Sequence, residues 1–227
     1  MEKGRLSVEK KSVCRIIAIV CSALSLVTAL FTVFGSALLA VFGAFEDEVP
    51  SEMRTAIIAM ATVSLLLTAH AVYELYSTVV SHRTFKHIGW AWVVYPVLAL
   101  LSKLATTYMN YVETLGVGDG LRWEVDCLGV VSNAIIPIVW LAIGIVFLMY
   151  ESGRLRDKRI LMYLSAGVYL FVTIINTIQY FNFFMPTGVT LFNFIPMITS
   201  IIITVVSDFI AYAPPFFLAL SMKNTSE

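Results

Sequence analysis

Residues 13–45 read VCRIIAIVCSALSLVTALFTVFGSALLAVFGAF, a run whose only charged residue is Arg15. An α-helix rises ~1.5 Å per residue and a bilayer core needs ~20 apolar residues, so this run crosses with length to spare. Lys3, Arg5, Lys10 and Lys11 precede it, as basic residues precede a signal peptide. The apolar part of a signal peptide, however, is only about 7–15 residues long. The run therefore reads as a retained first span.

Working outward, five further apolar runs follow at approximately 53–81, 88–110, 125–150, 158–182 and 190–222. Turn-forming or charged stretches separate them: Glu46-Asp47-Glu48-Val49-Pro50, residues 82–87, Gly116-Val117-Gly118-Asp119-Gly120 and Met185-Pro186-Thr187-Gly188. The runs are too long for strands and lack their alternation. The expectation is an all-α, polytopic integral membrane protein. Its single transmembrane domain, 1–227, is a bundle of six transmembrane helices with short loops. Residues 1–12 form a basic N-terminus and 223–227 a tail. Pro196, Pro214 and Pro215 are candidate bending points in the last span.

Composition agrees. Of 227 residues, 59% are hydrophobic and 13% charged, and the mean hydropathy is +0.87. Soluble domains carry about 25% charged residues, because a surface facing water needs them. A formal net charge of zero argues against nucleic acid as a partner, since phosphate binding shows as a basic excess. Cys14, Cys21 and Cys127 form no even-numbered or CxxC framework and read as packing residues.

Orientation follows from lysine and arginine. Lys3, Arg5, Lys10, Lys11, Arg15, Arg83, Lys86, Arg154, Arg156, Lys158, Arg159 and Lys223 fall on one side. Arg54 and Arg122 fall on the other, and Lys103 lies inside a span. The positive-inside rule then predicts both termini in the cytoplasm, with the plasma (inner) membrane as the expected location. The opposite rim is acidic, with Glu46, Asp47, Glu48, Glu52, Glu113, Asp119, Glu124 and Asp126. Trp90 and Trp92 at one edge, and Tyr108, Tyr111 and Trp123 at the other, suit aromatic belts.

The first span carries a row of small residues, Ala18, Ser22, Ser25, Ala29, Thr32, Ser36, Ala40 and Gly43, on one helical face. Small residues let helices approach closely, so the row predicts a packing seam within the bundle, or else a docking face for another membrane subunit. Ionisable groups inside spans cost about 2.5–3.5 kcal/mol each on insertion scales, which makes them informative. There are four: His70 and Glu74 in the second span, Lys103 in the third and Asp208 in the sixth. Lys103 and Asp208 lie at matching depths, roughly 21–22 Å from one membrane edge at the helical rise, so they are a candidate pair. With Asn133, Asn176, Gln179 and Thr107 they are candidate substrate-binding residues in an outer-half pocket for a small polar solute or, alternatively, join helices by hydrogen bonds. His70 and Glu74, four residues apart, form an intramembrane polar pair that would be structural or, alternatively, would relay protons.

Phosphate-binding glycine loops, HExxH and GxSxG are absent from the sequence, and no residue pattern calls for a metal, a cofactor or a catalytic centre. The expected partners are the lipid bilayer, a small polar solute and, alternatively, a second membrane subunit. In architecture alone, with no motif in common, the chain is similar to the solute-capturing membrane subunits of vitamin-type importers. That likeness implies a solute taken from outside and an energising partner. An intramembrane enzyme using His70 and Glu74 is the third alternative.

Overall fold

The computed structural model describes the backbone of residues 2–45, 50–115, 127–155, 157–184 and 191–222. Side chains are described for residues 11–42, 50–106, 108–109, 137–155, 157–178 and 194–222. All regular structure among them is helical: α1 (Glu2–Phe45), α2 (Ser51–Val80), α3 (Lys86–Leu115), α4 (Cys127–Glu151), α5 (Arg159–Phe184) and α6 (Leu191–Ser221). Five of these helices hold described stretches long and apolar enough to cross a membrane, and the described part of α4, Pro137–Glu151, is a shorter apolar stretch. The basic segment that the sequence reading set apart as residues 1–12 continues α1 as helix from Glu2.

Hydrogen bonds fix the direction of each neighbour. Ser22 pairs with Thr78 at 3.2 Å and Ser36 with Ser64 at 3.1 Å, so α1 and α2 run antiparallel. Lys158, at the start of α5, donates to the carbonyl of Met222 beyond α6. Glu151, at the end of α4, accepts from the Thr84 hydroxyl at 2.6 Å and the Phe85 amide at 3.1 Å, which ties α4 to the start of α3. Each helix packs on its neighbours in the chain and α6 closes against α1, making a ring of six. The start of α1, residues 81–85, residues 152–155 and 157–158 and the end of α6 thus share one end, called here the basic end.

The ring is apolar outside and partly polar inside. Phe31, Leu104 and Ile195 are 74%, 67% and 65% exposed, whereas Ser22, Thr68, His70, Ser77, Thr78, Ser165 and Asp208 are buried. Water would reverse that arrangement, while lipid requires it, because backbone and side-chain polar groups have no partner in hydrocarbon. The chain has the build of a multi-pass membrane protein.

Toward the basic end the ring is filled. Ala18, Ile88, Trp92, Phe147, Leu161, Leu218 and Met222 form one buried cluster drawn from α1, α3, α4, α5 and the end of α6. The helices α3 and α4 nearly touch there. A Cβ on Gly144 would stand 2.7 Å from the Val93 amide nitrogen and 2.8 Å from the Gly89 carbonyl oxygen. Glycine is required at that crossing. The α4 helix then stops at Gly153, whose φ of +72° suits glycine. Arg154 N–H bonds back to the Met149 carbonyl and Gly153 N–H to that of Tyr150, the paired bonds of a Schellman end.

Trp92 departs from its expected place in an aromatic belt. Trp90 is 48% exposed but Trp92 is 1% exposed. Two residues are about 200° apart on a helix, so the pair faces opposite ways.

Candidate functional site

Between this plug and the far end of the ring lies a cavity of about 390 Å³. Its wall takes Ser25, Ala29 and Thr32 from α1, Ser64, His70 and Glu74 from α2, and Trp92 and Tyr95 from α3. Trp140 of α4 and Ser207, Asp208 and Tyr212 of α6 complete it. The space exists because of the small residues in α1. At either end of the seam, Ser22 and Ser36 bond directly to α2. Between those contacts, Ser25 and Ala29 are too short to fill the gap, although Thr68 still reaches the Ala29 carbonyl at 3.2 Å. The seam predicted from the sequence therefore packs on α2 at Ser22 and Ser36 and lines the cavity at Ser25, Ala29 and Thr32.

His70 is held from outside the cavity. Its Nε2 donates to the Ala91 carbonyl at 2.7 Å, which leaves Nδ1 as the ring's remaining nitrogen. Ala91 lies five residues before Pro96, whose missing N–H deprives the Trp92 carbonyl of its usual helical donor and loosens α3 locally. Glu74, one turn further along α2, accepts from the Trp92 indole N–H at a long 3.4 Å. On the opposite wall Asp208 is 8% exposed, and the Asn176 amide of α5 donates to both of its carboxylate oxygens at 3.1 Å.

Aromatic rings connect the two carboxylates. Ring centres run from His70 to Tyr95 at 5.4 Å, from Tyr95 to Trp140 at 5.3 Å and from Trp140 to Tyr212 at 5.3 Å. Glu74 stands four residues after His70, and Asp208 four residues before Tyr212. Each end of the aromatic chain therefore carries a carboxylate one helical turn away.

The candidate residues divide accordingly. His70, Glu74 and Asp208 line one cavity, a convergence that helix order and depth alone did not reveal. Asn176 holds Asp208 from behind. Lys103 is exposed on α3 and makes no ion pair with Asp208; α3 and α6 match in depth but are not packing neighbours in the ring. The side chains of Asn133, Gln179 and Thr107 lie outside the described residues. The cavity sits at mid-depth along the bundle. Along α2 its wall extends from roughly 9 to 24 Å from Val80 at the helical rise.

No family model, curated protein or solved structure matches the chain. The reading therefore rests on the geometry. Sequence reasoning missed Tyr95 and Trp140 as wall residues, since an aromatic in a span reads equally well as core, belt or lining. The available signal was their depth: Tyr95 and Trp140 both lie well inside their spans, away from either interface.

Of the lining residues, Thr28 and Thr32 of α1 and Ser207 and Ala211 of α6 are exposed. The cavity thus reaches the surface between α1 and α6, above the buried cluster that includes Ala18, Leu218 and Ala219.

Proposed function

We propose that this protein binds a small polar solute within the membrane, in the cavity between α2 and α6. One observation carries the reading: His70, Glu74 and Asp208, from helices far apart in sequence, line the same cavity of about 390 Å³. Ionisable groups inside a bilayer are expensive and mark substrate or ion pathways by default. A volume of that size falls in the ordinary range for small-molecule sites, about 300–1,000 Å³. The buried plug on the basic side favours loading from the acidic side or from the α1–α6 opening. By the positive-inside rule, the basic end faces the cytoplasm of a plasma (inner) membrane.

Docking of another subunit through the first-span seam has less support, because Ser22 and Ser36 are spent on α2. A catalytic role also has less support, because the Nε2–H of His70 is engaged by a backbone carbonyl. Transport across the membrane would follow from binding only with a second conformation that opens the plug.

The test is thermal stabilisation of the purified protein against a panel of metabolites, repeated with Asp208→Asn. A solute that raises the melting temperature of the parent protein and not of the variant supports the reading. Stabilisation indifferent to Asp208→Asn, or none across the panel, sinks it.

A further inference from the structure

We infer that the occupant of the cavity is a small organic cation, a protonated amine or quaternary ammonium. The inference rests on the solute-binding reading and names the chemistry of its ligand.

Charge gives the sign. Glu74 and Asp208 line the wall, and among the described residues no lysine or arginine does. Lys103, the basic residue nearest to Asp208 in depth, is turned outward. An anionic solute would therefore meet two carboxylates with no compensating cation, in surroundings where water screens little.

The aromatic wall gives the kind of cation. Trp92, Tyr95, Trp140 and Tyr212 all line the cavity. Ring faces attract ammonium groups through their quadrupole, most strongly for tryptophan and when the cation is desolvated. A metal ion is a poor occupant by comparison. Hard cations need about six oxygen ligands close at hand, and the described residues include no group of three or more His, Cys, Asp or Glu able to hold one. The space suits an ion that brings its own carbon.

Trp140 is 3% exposed and lines the cavity. It stacks on Tyr212 at an interplanar angle of 28°, with its indole N–H within reach of the Tyr212 hydroxyl.

The experiment uses protein in lipid nanodiscs with three probes. These are choline, its uncharged isostere 3,3-dimethylbutan-1-ol, and the anion 3,3-dimethylbutyrate. Melting temperature and quenching of tryptophan fluorescence are read together. Choline is expected to raise the melting temperature and quench saturably, with the two uncharged or anionic probes at least tenfold weaker. Glu74→Gln and Asp208→Asn, each nearly isosteric, are each expected to weaken choline binding at least tenfold. Gel filtration of the unliganded variants confirms that their fold is intact. Equal response to the neutral isostere, or choline binding unchanged in both variants, overturns the cation assignment. A neutral or anionic probe that binds best, and is lost in Ala29→Phe, overturns that assignment while leaving a solute site in place. No response to any probe also counts against the cation, and the wider metabolite panel then decides whether a solute binds at all.

Discussion

Asn176 donates one amide nitrogen to both carboxylate oxygens of Asp208, at 3.1 Å each, across the α5–α6 contact. The amide holds the carboxylate in one orientation at the cavity wall without adding a charge. Replacing it by leucine is expected to destabilise the protein by about 1 kcal/mol, the typical worth of one interhelical hydrogen bond in a membrane. Asn176→Leu should also weaken any ligand that depends on Asp208, even though Asn176 does not line the cavity. Paired melting and binding measurements check this; unchanged ligand affinity would show that Asp208 needs no support from α5.

The crossing of α3 and α4 gives a sharper stability test. A Cβ on Gly144 meets backbone atoms, at 2.7 Å from Val93 N and 2.8 Å from Gly89 O, so neither neighbour can yield by a rotamer change. Gly144→Ala should cost about 1–3 kcal/mol through overpacking. Gly89→Ala should cost less, because its nearest contacts, at 2.9 Å, are to the flexible end of Leu148. Equal melting temperatures for the two variants would contradict this ordering.

Ala29 is a way to fill the cavity without touching its charges. Ala29→Phe places a large apolar group where the small-residue seam leaves space. The expected outcome is a protein that is folded in gel filtration and has lost all ligand-dependent stabilisation. Retained binding would mean that the solute sits elsewhere.

Glu151 joins two loops at the basic end by accepting from Thr84 and Phe85. Removing it as Glu151→Ala should lower stability by roughly 1–3 kcal/mol, since hydrogen bonds to a charged acceptor exceed neutral ones. Glu151→Gln should recover part of the loss. Melting temperatures of the three proteins decide.

Sidedness is checked by single cysteines in a background without Cys14, Cys21 and Cys127. Ser12→Cys and Ser152→Cys should react with a membrane-impermeant maleimide only after cells are opened. Ser51→Cys, at the other end of α2, should react in intact cells. Different behaviour of Ser12→Cys and Ser152→Cys would break the six-span topology itself.

Most of the architecture was open to reading along the chain, because lipid imposes a one-dimensional rule: a span must be long, apolar and internally hydrogen-bonded. The six runs, the clustering of Lys and Arg at alternate breaks and the small-residue row of α1 all follow from local composition. So did the choice of His70, Glu74 and Asp208 as residues that need an explanation, since a bilayer makes each of them costly. Their partners were another matter. Depth along an axis can be counted from a sequence, but which helix lies beside which cannot. Lys103 and Asp208 share a depth, while Asp208 is met by Asn176 from the adjoining α5. Closure of α6 on α1 and the aromatic chain from His70 to Tyr212 belong to the tertiary structure alone. Lateral packing in lipid is set by short-range shape and hydrogen bonds, and these act only once the helices have met.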